Sequence, residues 1–174
     1  MSEARILPME PADLLAIERH PAQTFQLGLF AAVTLEGAEE LAEQGECWTC
    51  FVGDRAVACV GIGETFPGVQ GVAWGVLGVG VGAAHLTVTR WARERVRQSP
   101  LLRLEAIARS ADAEAIVAAH PGIDQASLLA AVLATPTPET IWAKLCGFRA
   151  AHVLRKFGAA SETHVLFERI REDG

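Results

Sequence analysis

Apolar residues recur along this chain at two spacings, and the spacing switches at turn-forming residues. Residues 5–9 make a short apolar run closed by Glu10-Pro11, which reads as a strand. Pro11 opens a helix over 11–17, with Asp13 near the positive end of the helix dipole, and Pro21 stops it. A second helix is predicted over 38–44, ended by Gly45. The apolar stretch 25–35 between them fits either period.

Two β-rich runs, 47–52 and 56–62, flank Gly53-Asp54-Arg55 and predict a hairpin. Phe66-Pro67-Gly68 is a second turn, and 69–77 is the third strand of the meander. A glycine-rich segment, 78–82, then leads into a helix over 83–98. Arg90, Arg93, Glu94 and Arg97 mark its solvated face, and Val88, Trp91, Ala92 and Val96 share the face toward the core. A strand follows over 101–108, then a helix over 111–119 with Ser110 as its cap. Pro121-Gly122 breaks that helix, and 124–134 forms another, rich in Leu and Ala. Thr137 as N-cap and Pro138 at the first helical position start a helix that runs to Cys146 and stops at Gly147. Residues 150–157 and 163–170 make a last hairpin. The order is that of an α/β chain (α+β, mixed sheet) forming a single domain over 1–174. Its start is antiparallel, and one helical crossover in the middle lets the sheet turn parallel.

Composition narrows the function classes. The 174 residues are 51% hydrophobic and 21% charged, enough to bury one ordinary core. The net charge of −6 gives no general attraction to nucleic acid or to an anionic membrane surface. Mean hydropathy is high at +0.25, yet the longest stretch free of charged residues, 65–89, is broken throughout by glycine and makes a poor membrane helix. Cys47-Trp48-Thr49-Cys50 spells C-x-x-C but lies in a predicted strand, away from the helix N-terminus that redox chemistry needs. No further ligands follow at zinc-finger spacing, and no histidine pair has H-x-x-x-H spacing, so no metal site is expected. The cysteines read as reduced and the protein as cytoplasmic.

The glycine segment is the most informative chemical signal. Trp74-Gly-Val-Leu-Gly-Val-Gly-Val-Gly82 leaves a strand and opens a helix, the setting in which backbone N–H groups bind phosphate. Gly78, Gly80 and Ala83 match a dinucleotide fingerprint, with Glu105 in the next strand, but one crossover is too few for a doubly wound domain. The other reading is a pyrophosphate seat for coenzyme A (CoA). A packing role is the plain alternative to both.

The element order, together with Lys144-Leu-Cys-Gly147-Phe148 just before the last hairpin, resembles the GNAT acyltransferase fold over nearly the whole chain. Arg55-Ala-Val-Ala-Cys-Val-Gly61, Pro67-Gly-Val-Gln-Gly-Val-Ala-Trp74, Thr89-Arg-Trp-Ala-Arg93, Leu101-Leu-Arg-Leu-Glu105 and Lys156-Phe-Gly158 with His164-Val-Leu-Phe167 look like a tailed-phage and prophage GNAT-like group. That group is related to an internal virion protein of podoviruses.

The resemblance implies acetyl-CoA in a splayed gap beside strand 69–77, held at Val76, Gly78, Gly80, Gly82 and Ala83. It implies direct acetyl transfer to an amine, with Glu64 as general base and Glu105 as a weaker candidate. The family's loop usually carries Gln or Arg where this chain has Leu77, and its usual acid tyrosine falls at Ala143. The chain has no tyrosine; Cys146, His85 or a water remain as proton donors. Residues 111–136 exceed the family's usual connection and form a helical insertion. Its apolar Ile123, Leu128, Leu129, Val132 and Leu133 either bury against the domain or dock a partner. The rival expectation is therefore a non-catalytic phage structural or interaction protein, cytoplasmic or virion-associated, with a phage or host protein partner.

Overall fold

The computed structural model describes residues 3–19, 33–158 and 160–172. The undecided stretch 25–35 lies largely outside them. The chain folds as β1 (Ala4–Pro8), α1 (Pro11–Ala16), α2 (Leu35–Glu43), β2 (Gly45–Val52), β3 (Arg55–Phe66), β4 (Gln70–Leu77), α3 (Ala84–Gln98) and β5 (Arg103–Arg109). It continues as α4 (Glu114–Ala119), α5 (Gln125–Leu133), α6 (Pro138–Leu145), β6 (Arg149–Phe157) and β7 (Glu162–Ile170). The strands form one seven-stranded sheet in the order β1-β2-β3-β4-β5-β7-β6. Every pair is antiparallel except β4–β5, which are parallel. α3 makes the crossover between those two, as a parallel pair requires.

Local chemistry sets the boundaries. α2 starts three residues earlier than its apolar period predicts, because the Thr34 hydroxyl accepts from the Gly37 amide and caps it. α6 begins as expected: Thr137 and Thr140 form a capping box with Pro138 in the first turn. Gly147, at φ 99°, closes it, a conformation that a Cβ would strain. Ser110 does not cap α4, since its hydroxyl donates to Ala111 and Thr163 carbonyls. Instead, Asp112 accepts from the Glu114 amide.

The sheet divides the core. α1 and α2 cover one face, where Met9, Leu14, Ile17 and Ala38 pack on Cys59 and Val76. There the Thr49 hydroxyl donates to Asp13 at 2.8 Å and fixes α1 to β2. α3, α5 and α6 cover the other face over Leu104, Val165 and Phe167. Leu128 and Val132 are buried in that second cluster, with Ile123, Leu129 and Leu133 packed against it. The apolar side of segment 111–136 is thus turned onto the chain's own sheet. The four cysteines are free thiols, and burial pushes Cys47 up to about 11 and Cys59 to about 12. Both are protonated and unreactive at neutral pH.

His164 is 1% exposed on β7, stacked edge-on against Phe157 at 5.5 Å, and neither ring nitrogen has a partner among the described residues. Burial lowers its pKa, partly offset by Glu162 and Glu139. A lowered folded-state pKa means the unfolded chain binds the proton more tightly. Stability is therefore full above the ordinary histidine value of about 6.5 and falls as the pH drops below it, levelling off beyond the folded value. His164→Leu removes the titrating group, so its urea midpoint should fall less than the wild type's between pH 8 and pH 5. Parallel midpoint curves for the two proteins would exclude this account.

Candidate functional site

β4 and β5 pair only at Gln70–Arg103, Gly71–Leu104 and Val72–Glu105. From Ala73 and Ala106 onward the ladder between the two strands does not continue. β3 and β7 hold the outer edges of the two strands by full ladders, so the gap is built in. A cavity of about 390 Å³ fills it, roofed by α3 and α6. Its walls are mostly apolar, with many small side chains.

Trp142 reaches from α6 across this cavity. Its indole N–H donates to Thr89 Oγ1 on α3 at 2.9 Å, and that hydroxyl donates to the His85 carbonyl at 2.7 Å. The far edge of the ring rests on β4 at Gly75, where a Cβ would lie 2.7 Å from it. Glycine at 75 is therefore a packing requirement of Trp142. The cavity wall includes Leu77, Gly78, Val81 and His85 as well as Ala73, Ala92 and Ala106. Trp74 lines the cavity too and keeps a buried indole N–H without a partner among the described residues.

The glycine loop sits at the outer end. The Gly78 amide already donates to the Val57 carbonyl at 2.8 Å, and the Val79 amide to Glu18 at 2.9 Å. The amides of Gly80, Gly82 and Ala83 have no hydrogen bond to any described residue, and all three residues are exposed at the start of α3. Three of the expected cofactor positions thus present free donors. Gly78 supplies clearance, because its own donor is spent on β3. Val76 is fully buried in the α1–α2 cluster, on the face away from the cavity, so its side chain cannot touch a ligand there.

A cation that sequence reasoning missed lies beside the loop. The Arg55 guanidinium packs on Gly80, where a Cβ would sit 3.0 Å from its central carbon. Arg55 is exposed and makes a 3.4 Å ion pair with Glu18. The hairpin register was the available signal: Ala58 pairs with Leu77, so the start of β3 must lie beside the loop after β4.

The expected acid–base groups fall differently. Glu64 is exposed near the end of β3, where its carboxylate accepts from the Gly68 amide of the following turn at 2.7 Å; it does not line the cavity. Glu105 is tied to Arg103 at 2.6 Å, and Arg103 also meets Glu168 at 2.7 Å. Among the described residues, the carboxylate on the cavity wall is Glu139, in the first turn of α6. His85 and Cys146 both line the cavity; burial drives the Cys146 thiol up to about 12. Arg95 reaches the wall from α3, but its guanidinium is paired with Glu46 at 2.5 Å and stacked 4.9 Å from the Trp48 ring.

A mixed sheet with one splayed parallel pair, a helix-opening glycine loop and helices on both faces defines an architectural class. Solved structures place it. Aminoglycoside 6'-N-acetyltransferase from Enterococcus faecium superposes with a TM-score of 0.68 at 12% identity, over 97% of this chain and 99% of that one. The GphF GNAT-like decarboxylase, solved with isobutyryl-CoA, gives 0.66 at 12% identity over 95% and 98%. Ard1 from Thermoplasma volcanium gives 0.63 at 14% identity over 98% and 99%. The chain has the GNAT fold. No known family profile and no curated protein sequence matches it. Among the described residues, no helix is long and apolar enough to cross a membrane.

Proposed function

We propose that the protein binds an acyl-CoA in the β4–β5 gap and transfers the acyl group to an amine. The observation that carries this reading is the gap itself. A half-buried strand edge where the β4–β5 ladder stops, an apolar cavity beside it and three amides with no hydrogen bond to any described residue at its glycine-loop end are unmet binding capacity. The donor set fits the group: N–H donors and a guanidinium suit a pyrophosphate, and the apolar cavity suits a thioester arm. When bound, the thioester supplies an activated carbonyl carbon, so that a C–N bond forms as the C–S bond breaks.

The chain's residues divide the work. Gly80, Gly82 and Ala83 hold the pyrophosphate by backbone N–H groups, and Arg55 stands in for the cation absent at Leu77. Glu139 accepts the proton that the amine loses. Cys146 is a poor donor to the departing thiolate. A thiol held at about 12 is a weaker acid than an ordinary thiol near 8.5, so the proton comes from water. Acetyl is the simplest acyl group for such a site.

A second reading is favoured by one observation. The Trp142 indole lies across the cavity against Gly75, and Ala143 stands where the related enzymes' tyrosine is expected. A phage or prophage protein that keeps the fold for a structural or interaction role, in a bacterial cytoplasm or with a virion, would tolerate both. The burial of the 111–136 insertion on its own sheet removes one argument for that reading.

Two pairs of variants test the proposal. Arg55→Ala should weaken CoA binding about five- to tenfold by calorimetry, the scale of one partly exposed charge-assisted hydrogen bond. Glu18→Gln, which frees Arg55 from its ion pair, should tighten binding; identical affinities for both variants and wild type would remove Arg55 from the site. Once an acceptor amine is in hand, Glu139→Gln should lower kcat by about a hundredfold while Glu64→Gln leaves it unaltered. The reverse ranking would return the base to Glu64.

A further inference from the structure

We infer that Trp142 is a gate. Its indole, latched to Thr89, closes the way along β4 from the glycine loop to the end of the β4–β5 ladder, and it must leave Gly75 before a thioester arm can pass. The inference rests on the CoA-thioester reading and adds to it a step that the chain itself controls.

The ring spans the space from a roofing helix to the sheet. Its N–H edge is held by Thr89 on α3 at 2.9 Å, and Cη2 and Cζ3 of the opposite edge lie against β4 at Gly75. The His85 imidazole, one turn before Thr89, has its centre 6.2 Å from that of the indole. Gly75 stands on the strand between Gly78, where the loop begins, and Ala73, where the ladder has stopped. Both Gly78 and Ala73 line the same cavity. A ligand held by the Gly80, Gly82 and Ala83 amides that extends along β4 toward Ala73 therefore meets the indole on its way.

The contacts are those of a part that moves. The Thr89 hydroxyl commits its own proton to the His85 carbonyl at 2.7 Å, which leaves its oxygen to accept from the indole. Among the described residues that bond is the ring's polar anchor, and a single hydrogen bond exchanged against water is a weak latch. On the sheet side the ring rests on a residue with no side chain, so nothing interlocks with it. Trp142 is half-buried, and the cavity of about 390 Å³ beside it leaves room for another rotamer. Trp48, on the same cavity wall, makes the contrast: it is held between the Trp91 ring at 5.9 Å and the Arg95 guanidinium at 4.9 Å.

The test is stopped-flow tryptophan fluorescence of the full chain mixed with CoA or with ADP, which carries a pyrophosphate and no arm. ADP should bind in one phase whose rate rises in proportion to its concentration. CoA should add a slower second phase that levels off with concentration, because it reads the indole leaving Gly75. Thr89→Val keeps the shape and removes the acceptor, and should speed the second phase by about two- to tenfold. Thr89→Ser keeps the acceptor and should retain the wild-type rate. If thermal unfolding shows that Thr89→Val does not fold, Trp142→Phe removes the same bond from the other partner and should speed the phase likewise, with Trp48 and Trp74 as reporters. A single CoA phase that matches ADP, or a second phase equally fast in wild type and in the unlatched variant, overturns the gate while leaving the cofactor reading intact. No binding of CoA at millimolar concentration overturns the cofactor reading, and the gate with it.

Discussion

Two parallel strands that stop pairing after three residues are the constraint on which the rest of this structure turns. A parallel pair in the middle of a sheet normally continues, because each unpaired buried amide or carbonyl costs free energy comparable to a lost hydrogen bond. Here β4 is bound to β3 along its whole length and β5 to β7 along its whole length. Each strand is therefore fixed by its outer neighbour and cannot swing back to close the gap. α3 and α6 roof the opening, and Trp142 ties the two helices together across it through Thr89. The molecule thus pays for an open seam with complete ladders on either side, which is the arrangement expected of a ligand slot.

The outer end of the seam answers an electrostatic problem. A chain of net charge −6 has no overall attraction for a polyanion. Attraction must be local. The amides of Gly80, Gly82 and Ala83 sit at the positive end of the 15-residue helix α3, and Arg55 lies against them. Glu18 holds the same guanidinium in an exposed ion pair at 3.4 Å. The rest of the cavity wall has the opposite character: alanines, aliphatic side chains and a cation already paired with Glu46. One slot therefore joins a mouth of exposed N–H donors and a guanidinium to an apolar interior.

Much of this was legible in the sequence, for identifiable reasons. Thr137-Pro138 and Gly147 bracket α6 because capping is local chemistry, written within a turn of the helix it serves. The meander and its crossover follow from β-rich runs separated by turn residues, and the glycine loop falls where a strand hands over to a helix. What sequence order hides is which side of an element a residue faces and what it meets across the sheet. Glu64 looks like a free carboxylate after a strand but lies in β3 and spends itself on the Gly68 amide of the turn that follows. Val76 lies among the cofactor positions in sequence, yet the strand's alternation sends it into the opposite core. Arg55 is remote from the loop along the chain and adjacent to it in space, a relation set only by β3–β4 register. The role of Trp142 depends on the absence of a side chain at Gly75, a long-range coincidence that no local pattern announces.

The central claim is that the β4–β5 seam, from the glycine loop inward, is a CoA-thioester site. Backbone amide chemical shifts during a CoA titration address it residue by residue. The account predicts one set of saturable shifts that runs from Gly80, Gly82 and Ala83 along β4 to Gly75 and Ala73, with the Trp142 indole N–H moving in step. Shifts confined to the protein surface away from this seam, or none at millimolar CoA, would contradict it.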